Sequence, residues 1–239
     1  MMLGLLLART GVDVTVMEGT PTSCGDFRGD TVHASTRRLL DELGLGSRFA
    51  RMIPHRLIDT IPVRAAGPTG RARPLTRLPG SHRHIALIPQ WDLLELLATA
   101  AETEPTFRLL RSIEVTGLLR GDDGRRVVGV EYRDPSGETK HMRAELTVAC
   151  DGRGSTVRAA LGLRPRAFGA PMDVWWLRLP RRADDPSGLA GVFSAGHGTI
   201  AIDRGDYYQI GHIIPKGSHT DMRSQGIGDL HRTLVRTVS

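Results

Sequence analysis

Residues 146–163 read LTVACDGRGSTVRAALGL, and the reading of this stretch decides the fold. Its first five residues are apolar and rich in β-branched side chains, the composition of a strand buried on both faces. The run stops at Asp151-Gly152. Beyond the polar Arg153-Gly154-Ser155, the apolar residues fall at helical spacing, at Val157, Ala160, Leu161 and Leu163, with Gly162 placed to end the helix. A strand, an acidic-glycine turn and a helix start put Asp151, the amides of residues 152–155 and Arg158 at the carboxyl end of a parallel strand. Open α/β sheets bind nucleotides at that end. An Asp that only caps a helix leaves the same trace in a sequence.

Toward the N-terminus, residues 1–9 are helical in composition, Thr10-Gly11 is a stop, and residues 12–18, VDVTVME, alternate like a strand that ends in an acid. In a dinucleotide-binding βαβ unit a Gly-rich phosphate loop is followed about 20 residues later by an acid that holds the ribose hydroxyls. Counted back from Glu18, that loop falls immediately before Met1, and no G-x-G-x-x-G stands in residues 1–50. The expectation is an α/β fold with a Rossmann-like parallel sheet that lacks its first strand, the diphosphate cradle lying outside the chain.

The D-G-x-x-S-x-V-R pattern after an apolar strand stands here as Asp151, Gly152, Ser155, Val157 and Arg158. It resembles the second fingerprint of the aromatic-hydroxylase class of FAD-dependent monooxygenases, the group of para-hydroxybenzoate hydroxylase and phenol hydroxylase. The resemblance continues in Arg28 and in residues 35–45, STRRLLDELGL, an arginine and a helix that follow the ribose acid in that family. It extends to Gln90, which opens a later helix. The resemblance implies FAD as cofactor and NAD(P)H as co-substrate, with O2 adding to the flavin C4a position and the hydroperoxide hydroxylating a small aromatic substrate. It also implies roles: Glu18 on the adenosine ribose, Arg28, Gln90 and Asp151 with Gly152 around the pyrophosphate, and Arg158 bracing the fingerprint or reaching NAD(P)H. Each residue has an ordinary alternative, as a turn acid, a loop arginine or a helix cap, and none is assigned as general acid or base. The family's third fingerprint, a G-D leading into a Pro/Gly-rich helix start, is not found. Gly205-Asp206 runs into Tyr-Tyr-Gln instead, so the chain is expected to stop short of that motif.

Between these landmarks the punctuation is clear. Residues 57–63 and 84–88 alternate, divided by Gly67-Pro68-Thr69-Gly70 and Pro79-Gly80, and read as a hairpin-like antiparallel insertion. A helix follows from Gln90 through Thr103, with Leu93, Leu94, Leu96, Leu97 and Ala100 on its buried side. Residues 114–119, 127–132 and 140–143, joined by Gly121–Gly124 and Pro135–Gly137 turns, form a three-stranded meander leading into residue 146. Residues 173–179, 189–194, 199–203 and 207–214 read as four strands of a mainly antiparallel sheet, followed by a polar helix from about Gly226. The organisation expected is an FAD-binding domain at 1–163, with residues 54–88 contributing strands to the substrate side, and a substrate-domain sheet at 164–239.

Composition sets the outer limits. With 239 residues and 40% hydrophobic content the chain can build a core. Its formal charge of +6 is almost all arginine, since Lys140 and Lys216 are the lysines, and it is scattered; with 5% aromatic residues this is not the basic stripe of a nucleic-acid binder. Scattered arginine suits phosphates and anionic ligands. Cys24 and Cys150 make no disulfide framework in a chain this long, which points to a reducing cytoplasm. The opening MMLGLLLA is too short to span a bilayer. The histidines show no metal-ligand spacing and no G-x-S-x-G nucleophile elbow occurs. Trp175-Trp176-Leu177-Arg178-Leu179-Pro180 is similar to the W-x-W-x-I-P of flavin-dependent halogenases. Leu177 stands at that pattern's second tryptophan, however, and no lysine precedes Lys140 to serve as the halogenating amine. The alternative to an enzyme is a non-catalytic flavin-fold remnant, or a partner-bound fragment, without bound FAD.

Overall fold

The computed structural model describes residues 1–20, 31–52, 56–60, 63–65, 74–194 and 197–224. In chain order the elements are α1 (Met2–Arg9), β1 (Val14–Glu18), β2 (Thr31–Val32), α2 (Ala34–Glu42), α3 (Gly46–Ala50), β3 (Arg56–Ile58), β4 (Val63–Ala65), β5 (Ile85–Leu87) and α4 (Gln90–Ala101). They continue with β6 (Phe107–Arg111), β7 (Glu114–Arg120), β8 (Val127–Arg133), β9 (Thr139–Arg143), α5 (Thr156–Ala160), β10 (Met172–Pro180), β11 (Leu189–Ser194), β12 (His197–Asp203), β13 (Tyr207–Pro215) and α6 (His219–Ser224). These fall into two compact units, Met1–Asp26 with Leu94–Phe168, and Phe27–Leu93 with Gly169–Ser239. The helix expected from Gly226 lies outside the described residues.

In the first unit β1 and β6 run parallel, in register from Val14 opposite Phe107 to Glu18 opposite Arg111. This is the parallel sheet of the α/β class read from the sequence. Helix α1 seals it: a Cβ added at Gly4 would sit 2.6 Å from Val16 Cγ2 and 3.0 Å from the Phe107 ring, so glycine lets helix and strand approach. The Thr106 hydroxyl donates to Ala8 O at 3.0 Å and ties the start of β6 to the same helix. Strand β6 was not anticipated, because FRLLR has no strict alternation and its partner lies about 90 residues upstream. Helix α4 buries Leu96, Leu97, Ala98, Ala100 and Ala101, while Leu93 and Leu94 stay half-buried.

The meander forms as expected, β7 and β9 flanking β8 in antiparallel ladders. Its turns are set by acids. The Asp123 carboxylate accepts from the Arg125 and Arg126 N–H groups at 2.9 and 3.0 Å, and Asp134 accepts from Ser136 and Glu138.

One expectation is overturned. Residues 146–150 form no strand and are not buried: Leu146 is 78% and Val148 53% exposed. Apolar, β-branched residues make a strand only when another strand takes up their N–H and C=O groups, and among the described residues none pairs with this segment.

The second unit holds the larger sheet, in the order β10, β13, β12, β11, β4. The four strands expected after residue 163 are its body, and their ladders are antiparallel. The hairpin expected from residues 57–63 and 84–88 is only half made. Strand β3 pairs antiparallel with β5, whose other edge takes β2, but residues 63–65 leave to run parallel with β11. Pro62, which has no amide hydrogen for a ladder, stands between the two pieces in sequence. Alternation along β11 and β12 turns Leu189, Ile200 and Ile202 to one face, where with Trp176 they pack against Ile58, Ile85, Leu87 and Leu75. The Trp176 ring lies so close over β13 that a Cβ at Gly211 would be 3.1 Å from it. The two adjacent tryptophans straddle β10, because successive side chains of a strand point to opposite faces. Trp175 points the other way, its Nε1 donating to His219 Nδ1 at 2.8 Å.

Candidate nucleotide-binding site

The acid at the end of β1 is held by its own turn. Glu18 Oε1 accepts from the Thr20 N–H at 3.3 Å and the Thr20 hydroxyl at 3.1 Å, while its backbone carbonyl receives the Ile113 N–H at 3.0 Å. That second bond ties the strand end to the corner between β6 and β7. A carboxylate at the carboxyl end of a parallel strand is thereby fixed in direction.

The Asp151 turn is a closed network. Ser155, only 6% exposed, is the N-cap of α5: its hydroxyl accepts from the Arg158 N–H at 2.9 Å and donates to Asp151 Oδ1 at 2.5 Å. Asp151 Oδ2 accepts from the Val157 N–H at 3.1 Å. Burial works against ionisation of Asp151, but the Ser155 hydroxyl and the helix-start N–H groups outweigh it and hold the carboxyl below the usual carboxylate range. Arg158 reaches back across the same turn, Nη1 to Gly152 O at 3.4 Å and Nη2 to Arg153 O at 2.5 Å. The sequence signals for Asp151 and Arg158 therefore mark residues that build one loop. Ser155, singled out only as part of the fingerprint, is the group on which the others converge.

Within that loop Gly152 takes φ +82°, a conformation glycine adopts without strain, and a Cβ at Gly152 or Gly154 would meet nothing within 4 Å. The backbone of this turn is open to the approach of a ligand, and it carries N–H donors and an arginine beside it. A strand-end carboxylate for ribose hydroxyls and a glycine-built, arginine-flanked turn for a diphosphate form a donor set that fits FAD.

The structure does not bring every sequence-predicted residue together. Asp151, Gly152 and Arg158 share one loop, and no hydrogen bond or ion pair among the described residues links Glu18 to it. Gln90 opens α4 within the second unit. Arg28 lies outside the described residues. Among those residues no group of His, Cys, Asp and Glu could hold a metal ion, and no helix is long and apolar enough to cross a membrane.

A parallel β1–β6 pair ending in an acid, an Asp-Gly turn capped by serine and a mainly antiparallel second sheet make an α/β fold of the nucleotide-binding kind. Residues 1–220 match the family model described as FAD binding domain, and the chain belongs to that family. Its relatives carry monooxygenase names. The 6-methylpretetramide 4-monooxygenase of Streptomyces rimosus is 28% identical over 243 residues, covering 99% of this chain and 56% of that protein. The chain thus spans about half the length of that relative. Among solved structures, the p-nitrophenol 4-monooxygenase PnpA from Pseudomonas putida DLL-E4 superposes with a TM-score of 0.76 at 18% identity, over 93% of this chain and 57% of that one. The flavin-dependent halogenase CmlS gives 0.82 at 16% identity, over 98% and 43%. At these identities the likeness is one of fold, and it is shared by enzymes of different chemistry.

Proposed function

We infer that the chain is part of an FAD-dependent monooxygenase that uses NAD(P)H and O2 to hydroxylate a small aromatic substrate. The observation that carries this reading is the match of residues 1–220 to the FAD binding domain, together with relatives named as monooxygenases. In this reading the nucleotide-binding loops lie in residues 1–163 and the substrate sheet in residues 164–239, with residues 54–88 on the substrate side. Bound flavin, once reduced, supplies the activation of O2 and the transfer of one oxygen atom; the protein supplies position and a dry, fixed electrostatic setting. Glu18 accepts the hydroxyls of the adenosine ribose. The 151–158 turn offers its backbone to the diphosphate, with Asp151 and Arg158 holding that turn in shape and Arg158 the candidate to reach NAD(P)H. Gln90 and Arg28 complete the cofactor contacts.

The test is a titration of FAD followed by flavin fluorescence and visible absorbance. Saturable binding that weakens about tenfold or more in Glu18→Gln, the expected loss for a charged hydrogen-bond acceptor, supports the reading. A second reading, a flavin-fold chain that binds no FAD by itself, draws on the exposure of residues 146–150 beside the Asp151 turn. A colourless protein that FAD does not saturate selects it.

A further inference from the structure

Among the described residues of the second unit, the guanidinium of Arg37 has two buried nitrogens that packing leaves unanswered. Arg37 lies on α2, one turn before Asp41, and its Nε and Nη1 are buried with no hydrogen-bond partner. The neighbouring Arg38 shows the ordinary arrangement: it is well solvated and reaches Glu42 at 3.5 Å on the outside of the same helix. Asp41 attracts Arg37 electrostatically, yet its carboxylate is engaged elsewhere. Asp41 Oδ2 lies 2.5 Å from His82 Nε2, and Oδ1 is lodged against Gly46, where an added Cβ would stand 1.8 Å away. The carboxylate is therefore held between His82 and the start of α3, and the half-buried arginine keeps Nε and Nη1 out of water and undirected. Partial burial lowers the affinity of Arg37 for its proton, and the charge of Asp41 opposes that shift without cancelling it.

A buried donor without an acceptor is costly, and a buried cation without an anion more so. A guanidinium stays charged in a protein, so it cannot relieve that cost by releasing its proton. An oxyanion answers both deficits at once, bringing negative charge and several acceptor oxygens to a planar donor group. We propose that Arg37 is an anion-binding group of the second unit, and that its ligand is a small oxyanion, the carboxylate of an organic acid or a phosphoryl group, received on α2 beside the Asp41–His82 pair. Arg37, Asp41 and His82 all belong to the second unit, and the 151–158 turn to the first.

The experiment compares the wild-type chain with Arg37→Gln and Arg37→Leu by calorimetric titration and thermal melting. Benzoate probes the carboxylate source, inorganic phosphate the phosphoryl source, and benzamide is the uncharged control. At least one of the two anions is expected to bind saturably and raise the melting temperature, and benzamide to do neither. Both variants are expected to weaken that binding about tenfold or more. Without ligand, Arg37→Leu is expected to melt at or above the wild-type temperature, because it removes the orphaned donors. Benzoate alone binding assigns an organic acid, and phosphate alone a phosphoryl group. The proposal is overturned if neither anion binds the wild type, if Arg37→Gln binds as the wild type does, or if Arg37→Leu melts below it.

Discussion

Residues 146–150, LTVAC, and strand β13, YYQIGHIIP, reverse the order that side-chain preference assigns them. The first is a run of strand formers, yet it is solvent-exposed and carries no ladder. The second contains two polar residues and a glycine in its middle, yet its central residues are buried, and it is paired on one side with β10 and on the other with β12. Two of its buried polar side chains find partners within the sheet. Gln209 accepts from the Arg204 guanidinium at 3.0 and 3.1 Å, and His212 Nδ1 meets the Thr199 hydroxyl at 2.8 Å. Burial also lowers Arg204 to about 10, so even this charged neighbour is drawn in by the sheet. The difference teaches that strand identity here is set by pairing partners and that propensity is subordinate to them.

Three variants act on that contrast. The largest effect belongs to the paired region. Ile202→Ala empties a buried position between Leu189, Ile85 and Leu87, and is expected to cost about 3 kcal/mol in denaturant unfolding. A loss under about 1 kcal/mol would mean that this sheet has no tighter core than the exposed segment. Next is the hinge between segment and helix, where Asp151→Ala removes the acceptor for Ser155 and Val157, at about 1 kcal/mol, the usual value for a cap. Because the folded carboxyl of Asp151 sits below its unfolded value, its contribution is fully present above about pH 4 and fades as the pH falls through the folded value. The Ala variant should therefore lose less stability than wild type as the pH falls below about 4. The smallest effect belongs to the exposed run itself. Leu146→Thr with Val148→Thr is expected to change unfolding by less than about 0.5 kcal/mol, since neither side chain leaves water on folding. A loss several times larger would show that the segment is covered and paired in solution.

Much of this architecture was legible because it is local. The meander and the strands from residue 172 onward announce themselves through alternation and through turns that only Gly, Pro and Asp make without strain. The Asp151 fingerprint was legible for the same reason, since Asp151, Ser155 and Arg158 close their network within eight residues. Parallel β6 escaped notice, as did the division of residues 57–65 between two sheets, because their partners are far away in sequence. The pairing of Asp41 with His82 joins positions 41 apart, and no periodicity in either stretch signals it.

The amino-acid order determined by itself helices α1, α2 and α4, the β7–β8–β9 meander and the chemistry of the Asp151 turn, since each is settled by dihedral preference, side-chain periodicity and hydrogen bonds that close locally. Tertiary structure alone decided that LTVAC lies in water, that β6 completes the parallel pair and that Arg37 is turned inward. These outcomes depend on which distant backbone or side chain arrives to accept a hydrogen bond, and a short window of sequence does not contain that information.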